Sequence, residues 1–144
     1  MAKVSIHVQN TKVTGSITGN INNGGSGSIT LDNEGKSSNN QINNNGTGLI
    51  TINNKDTGVI DSAISNSSTG AIKIVNDNVL GGTITNTGDA STTAANNIDI
   101  TNNKNLTGTV INNGQGSIHV QNTKVTGSIT GNINNGGSGS IYFR

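Results

Sequence analysis

A few side chains hold most of the chemistry this sequence could perform. Asp32 and Glu34 lie two residues apart, with Asp77 further along the chain. Residues two apart on an extended strand share a face. Two carboxylates roughly 5–9 Å apart are what glycoside cleavage requires, one as acid and the other as base or nucleophile. Ser117, His119 and Asp99 are the residue types of a nucleophile, a base and its orienter. Side chains at i and i+2 of a strand stand about 6.5–7 Å apart, too far for serine to hand its proton to histidine. The same pair recurs as Ser5 and His7, where no aspartate sits beneath the histidine in the coil alignment. Calcium-binding β-rolls carry GGxGxD repeats whose aspartate is a ligand. Gly24-Gly25-Ser26-Gly27 and Gly136-Gly137-Ser138-Gly139 are each followed by serine instead. No catalytic residue, metal ligand or cofactor site is assigned on this evidence.

Whatever these residues do, a repeat places them. Residues 5–29 recur letter for letter at 117–141, a period of 112 residues, and such self-similarity is read before any local pattern. Within it runs a finer motif, Ile-x-(Val/Leu/Ile)-x-Asn. It begins at Ile6, Ile29, Ile50, Ile72, Ile98 and Ile118, with spacings of 23, 21, 22, 26 and 20 residues. Most periods carry a second apolar piece, as at Ser16-Ile17, Val59-Ile60, Thr83-Ile84 and Thr109-Val110, and then a glycine-rich corner. The longest spacing is assigned to a corner insertion at residues 89–95.

Composition limits the fold that such periods can build. The 144 residues include 27 Asn and 21 Gly but one Phe, one Tyr, and neither Trp, Pro nor Cys. An ordinary core of leucine and phenylalanine is not available. Isoleucine and valine at alternate positions instead suit short strands with one apolar face. No single period can bury that face alone, whereas stacking periods about 4.8 Å apart buries all of them in one column. The expectation is a right-handed parallel β-helix of about six coils, forming one segment over residues 1–144, since parallel crossovers are overwhelmingly right-handed. β-Hairpins are the competitor, because Asn-Gly at 23–24, 45–46, 113–114 and 135–136 signals tight turns.

Stacking turns positions into columns. Asn10, Asn33, Asn54, Asn76, Asn102 and Asn122 end the first strand of every full coil and are expected to form a structural amide ladder. One outward column reads Thr11, Glu34, Lys55, Asp77, Asn103, Thr123, and another reads His7, Thr30, Thr51, Lys73, Asp99, His119, Tyr142. The acids and bases of the first of these columns are expected to pair as exposed ions worth under about 1 kcal/mol each. Five coils separate His7 from His119, roughly 24 Å, so they cannot share a metal. Sequons occur at Asn45, Asn66 and Asn105, as chance provides in so asparagine-rich a chain. At the last strand, Phe143 is placed inward as a plug, with Arg144 discouraging another strand. The edge at Val4–Val8 is expected to be the stickier one, favouring self-association through the terminal coils.

The formal net charge of +1 and the absence of a basic run argue against nucleic acid, and no stretch has the length of a membrane span. The Asn/Gly/Thr-rich coils, the GxGxI-x-I-x-N style and the lack of Cys resemble the β-helical passengers of autotransporters and filamentous-haemagglutinin-like adhesins of bacteria. That resemblance implies an extracellular or cell-surface location, a rigid shaft, adhesion or display, and no cofactor. The start, MAKVSIHV, lacks a signal-peptide pattern. The function expected is structural, a shaft of an adhesin or fibre. A self-assembling filament subunit and a polysaccharide-active β-helix enzyme using Asp32, Glu34 and Asp77 remain the alternatives.

Overall fold

The computed structural model describes residues 3–88 and 98–144. The corner insertion at residues 89–95 lies outside the described residues. Among the described residues every strand pairs in parallel with its counterpart one coil away, which makes the chain a β-solenoid of about six turns and leaves no β-hairpin there. The first sheet stacks β1 (Ile6–Asn10), β4 (Ile29–Asn33), β7 (Ile50–Asn54), β10 (Ile72–Asn76), β13 (Ile98–Asn102), β16 (Ile118–Asn122) and β19 (Ile141–Phe143). The second stacks β2 (Ser16–Ile17), β5 (Lys36–Ser37), β8 (Val59–Ile60), β11 (Val79–Leu80), β14 (Asn105–Leu106) and β17 (Ser128–Ile129). The third stacks β3 (Ile21–Asn23), β6 (Gln41–Asn44), β9 (Ala63–Asn66), β12 (Ile84–Asn86), β15 (Val110–Asn112) and β18 (Ile133–Asn135).

Each coil therefore makes three strands, and the alternation of side chains decides what faces in. In the five-residue strands the first, third and fifth positions point inward, so Ile29, Leu31 and Asn33 of β4 are buried while Thr30 and Asp32 are part-exposed. Like sits on like from coil to coil. Ile6, Ile29, Ile50, Ile72, Ile98, Ile118 and Ile141 share one register position. Ile42, Ile64 and Ile84 of the third sheet meet them in the same core. Fully burying one such side chain stabilises by about 1.5–3 kcal/mol, and the column repeats it from Ile29 to Ile118.

The second apolar piece is not one column but two. Ile84 and Val110 pair into the third sheet with Ile64, whereas Ile17 has Ser37, Ile60, Leu80, Leu106 and Ile129 as its successive neighbours. Short corners let these two pieces read as one in the sequence. Ser37 is the break in the apolar run: its hydroxyl lies 2.7 Å from that of Ser62, and both are fully buried.

The corners back to the first sheet stack as closely as the strands. A Cβ on Gly48 would collide with the carbonyl of Gly27, and one on Gly70 with the carbonyl of Gly48. Glycine is required there by the approach of the adjacent coil's backbone rather than by flexibility.

At the last strand, Phe143 keeps the expected register opposite Val120 but is 60 % exposed, so it rests on the column without plugging it. Arg144 continues the pairing with the preceding coil: its N–H donates to Val120 O at 3.1 Å and its carbonyl accepts from Asn122 N at 2.8 Å.

Burial sets a clear contrast between neighbouring residues on β10. Ile74 is 1 % exposed at the middle of the column, while Lys73 points outward. Ile74→Asp should lose several kcal/mol and leave the chain unfolded or aggregated, because an unpaired carboxylate would be buried. Lys73→Thr should change stability by under about 1 kcal/mol. Chemical denaturation monitored by circular dichroism separates the two, and similar losses would contradict the register.

Candidate functional site

Beside the apolar core, buried asparagines form two files inside the solenoid. At the end of the first-sheet strands, Nδ2 of Asn10 donates to Oδ1 of Asn33 at 2.9 Å. The chain of donors continues through Asn54 at 3.0 Å, Asn76 at 2.8 Å, Asn102 at 2.7 Å and Asn122 at 2.8 Å. Each amide also serves the corner where the backbone turns away from its strand partners. Asn54 Nδ2 lies 3.0 Å from Gly58 O and 3.0 Å from Val79 O. Corner carbonyls facing a dry interior need donors, and a carboxamide supplies two hydrogens.

A second ladder runs through the end of the third sheet. Asn23 donates to Asn44 at 2.6 Å, Asn44 to Asn66 at 2.8 Å and Asn66 to Asn86 at 2.7 Å. Asn86 then donates to Asn112 at 2.7 Å, and Asn112 to Asn135 at 2.8 Å. Its sequence signal is Ile/Val-x-Asn, present at Ile21, Ile42, Ile64, Ile84, Val110 and Ile133. Merging two apolar pieces into one column hid it. The sequon at Asn66 belongs to this ladder, and at 1 % exposed that amide is closed to a modifying enzyme in the folded chain.

The outward face of the first sheet carries the chemistry-bearing side chains, and neighbouring coils engage them. Glu34 Oε1 accepts from Lys55 Nζ at 3.0 Å, and this pairing raises the Lys55 ammonium above its ordinary range. Asp77 does not extend that ion pair, since it accepts from Asn103 Nδ2 at 2.5 Å. His119 Nδ1 lies 2.9 Å from Asp99 Oδ1. Ser117 is turned elsewhere, its oxygen accepting from Ser140 N at 3.2 Å. The relay of serine, histidine and aspartate is thus not assembled.

His7, which had no aspartate in its own column, finds one diagonally. Its Nε2 lies 2.9 Å from Asp32 Oδ2, and Asp32 Oδ1 accepts from Asn53 Nδ2 at 2.6 Å. The Asn53 amide first, and then His7, hold the Asp32 carboxyl below the usual carboxylate range, against a smaller opposing effect of burial. Column alignment alone misses such a contact because it looks only straight across the ladder, whereas i, j±2 neighbours are within reach of long side chains.

Two hollows lie elsewhere. One, of about 670 Å³, is lined by Val4, Ile6 and the first glycine-rich corners, without a titratable side chain. The other, of about 510 Å³, is lined by Asn20, Asn39, Asn40, Gln41, Asp61 and Ala63. Among the described residues, no three His, Cys, Asp or Glu side chains gather around a point where a metal ion would sit, and no helix is long and apolar enough to cross a membrane. No protein-family model matches the chain, and no curated protein or solved structure matches it either.

Asn54 has coils on both sides and is fully buried. Asn54→Ala should cost about 2–3 kcal/mol, since Asn76 loses its donor and two corner carbonyls lose theirs. Asn54→Asp should cost more, because a carboxylate would face three acceptor oxygens with no hydrogen to offer. Asn134→Ala, on the exposed side of β18, should stay within about 0.5 kcal/mol. Urea midpoints measure all three, and a neutral Asn54→Ala would remove the structural case for the ladder.

The lowered Asp32 carboxyl makes a pH signature. Its folded pKa lies below its unfolded value, ordinarily about 3.9. Its stabilising contribution is therefore complete above that value and is lost as pH falls through the folded one. Asp32 is 19 % exposed beside a half-exposed His7, so the contribution should be under about 1 kcal/mol. Asp32→Asn should lower the melting temperature slightly near pH 6, with the gap to wild type closing below about pH 4. A gap that widens on acidification would contradict the assignment.

Proposed function

We propose that this chain is a structural shaft, a stretch of rigid β-solenoid in a bacterial cell-surface or secreted adhesin or fibre. The observation that carries the reading is uniformity along the axis. The same first-sheet isoleucine column and the same two amide ladders run through the described residues of every coil, and neither hollow gathers a cluster of reactive groups. Asp32, Glu34, Asp77 and His119 each bond a neighbouring coil. None of them lines either hollow. Such contacts tie coils together along the rod. The asparagine- and glycine-rich coil style resembles that of secreted β-helical passengers, which supports the extracellular setting.

Small-angle scattering and negative-stain microscopy test this reading. The expected particle is a stiff rod whose six coils span roughly 29 Å along the axis at about 4.8 Å per coil. Long unbranched fibres from the purified chain would favour a filament subunit instead. A screen on acidic polysaccharides should find no cleavage. Cleavage that disappears in Asp32→Asn or Glu34→Gln would overturn the shaft reading in favour of a carboxylate-dependent enzyme.

A further inference from the structure

Residues 5–29 and 117–141 are one sequence seen in two settings. The first copy shows what its coil meets on the C-terminal side, where β1 pairs with β4 from Ile6↔Ile29 to Asn10↔Asn33. The second shows what the same coil meets on the N-terminal side, where β16 pairs with β13 from Ile98↔Ile118 to Asn102↔Asn122. Between them the two copies display both sides of a single coil.

The histidine uses a different ring nitrogen in each setting. His7 meets Asp32 of the following coil through Nε2 at 2.9 Å, and His119 meets Asp99 of the preceding coil through Nδ1 at 2.9 Å. The two nitrogens point away from each other across the ring, and the two carboxylates approach from opposite coils. One side chain therefore has a separate nitrogen for each partner.

We propose that the duplicated coil is a splice at which a second copy of the five-coil block joins in unbroken register, with its histidine clamped at the joint between Asp99 of one block and Asp32 of the next, both ring nitrogens donating. Every strand pairing in the first sheet that such a joint needs already exists within this chain, from Ile6↔Ile29 through Ile98↔Ile118. The amide ladder closes too, because the joint asparagine accepts from Asn102 as Asn122 does and donates to Asn33 as Asn10 does. Ionised aspartates only accept, so a ring serving both must carry two hydrogens and is an imidazolium.

The groups facing that ring are few. Asp99 lies opposite it on the preceding strand, with Lys73 one coil beyond. On the following strand Thr30 lies opposite and Asp32 is diagonal, the latter also bonded by Asn53. Ser117, just before its strand, and Gln121, on it, flank the ring. Beside His119 in the present chain, Tyr142 takes the place of Thr30, and Arg144 follows Phe143 where Asp32 follows Leu31. One carboxylate of the clamp is therefore replaced by a cation.

The proposal deepens the shaft reading, and the two fail separately, because ring tautomers are read whatever the particle's shape. In the 144-residue chain at alkaline pH, with both rings neutral, ¹⁵N-resolved NMR should find the hydrogen on Nδ1 in His119 and on Nε2 in His7. The same tautomer at both sites would overturn the clamp. A longer chain, with residues 30–141 inserted again after Ile141, should unfold in one cooperative transition. Its joint histidine should show both ring nitrogens protonated at neutral pH and should lose the Nε2 proton when the Asp32 equivalent beside it is changed to Asn. Two separate transitions, aggregation, or a joint histidine indifferent to that substitution would overturn the splice.

Discussion

The structure depends on the hydrogen bond from one buried asparagine amide to the next. A solenoid held only by an apolar column would tolerate slippage, because isoleucine on valine or leucine costs little in place of isoleucine on isoleucine. The amides do not tolerate it. A coil that slid by one residue would turn its isoleucines outward. Sliding by two would keep the isoleucines inside but bring Ile74 against Asn54, so that this amide loses the side-chain oxygen of Asn76 and Asn76 loses its donor in a dry interior. The ladders therefore set the register that the apolar column alone leaves loose. They also explain the composition: a chain with so little aromatic and leucine content folds because its corners, the usual weak points of a polar backbone, are satisfied from within.

Much of this was legible in the sequence, and the reason is periodicity. Ile-x-φ-x-Asn fixes the strand, its inward face and its end at once, and five-residue strands hold enough alternation to be unambiguous. The second sheet was less legible because its strands are two residues long, too short for alternation to register. Ser37 in that column looks like an outward polar residue until Ser62 is found buried beside it. The second amide ladder has the same Ile-x-Asn ending as the first, but among 27 asparagines that signal needs a correct strand count before it stands out.

The candidate site was legible only as columns. Straight-across pairs followed from alignment, as with Asp99 and His119. The diagonal contact between His7 and Asp32 depends on side-chain length and lean, which a one-letter alignment does not contain. Asp77 shows the converse: charge order alone put it beside Lys55, yet Asn103 from the other neighbouring coil takes its oxygen. In a stack every outward residue has two neighbours to choose from, and charge alternation does not decide between them.

The direction of the amide bonds has a consequence at larger scale. In both ladders the nitrogen always faces the C-terminal coil and the oxygen the N-terminal one. Each carboxamide carries a dipole comparable to the roughly 3.5 D of a peptide unit. Two files of them aligned along one axis give the solenoid an electrical polarity, with partial positive charge toward the C-terminal coils and partial negative charge toward the N-terminal ones. The rod has a sense of direction written into its interior, independent of the charges on its surface.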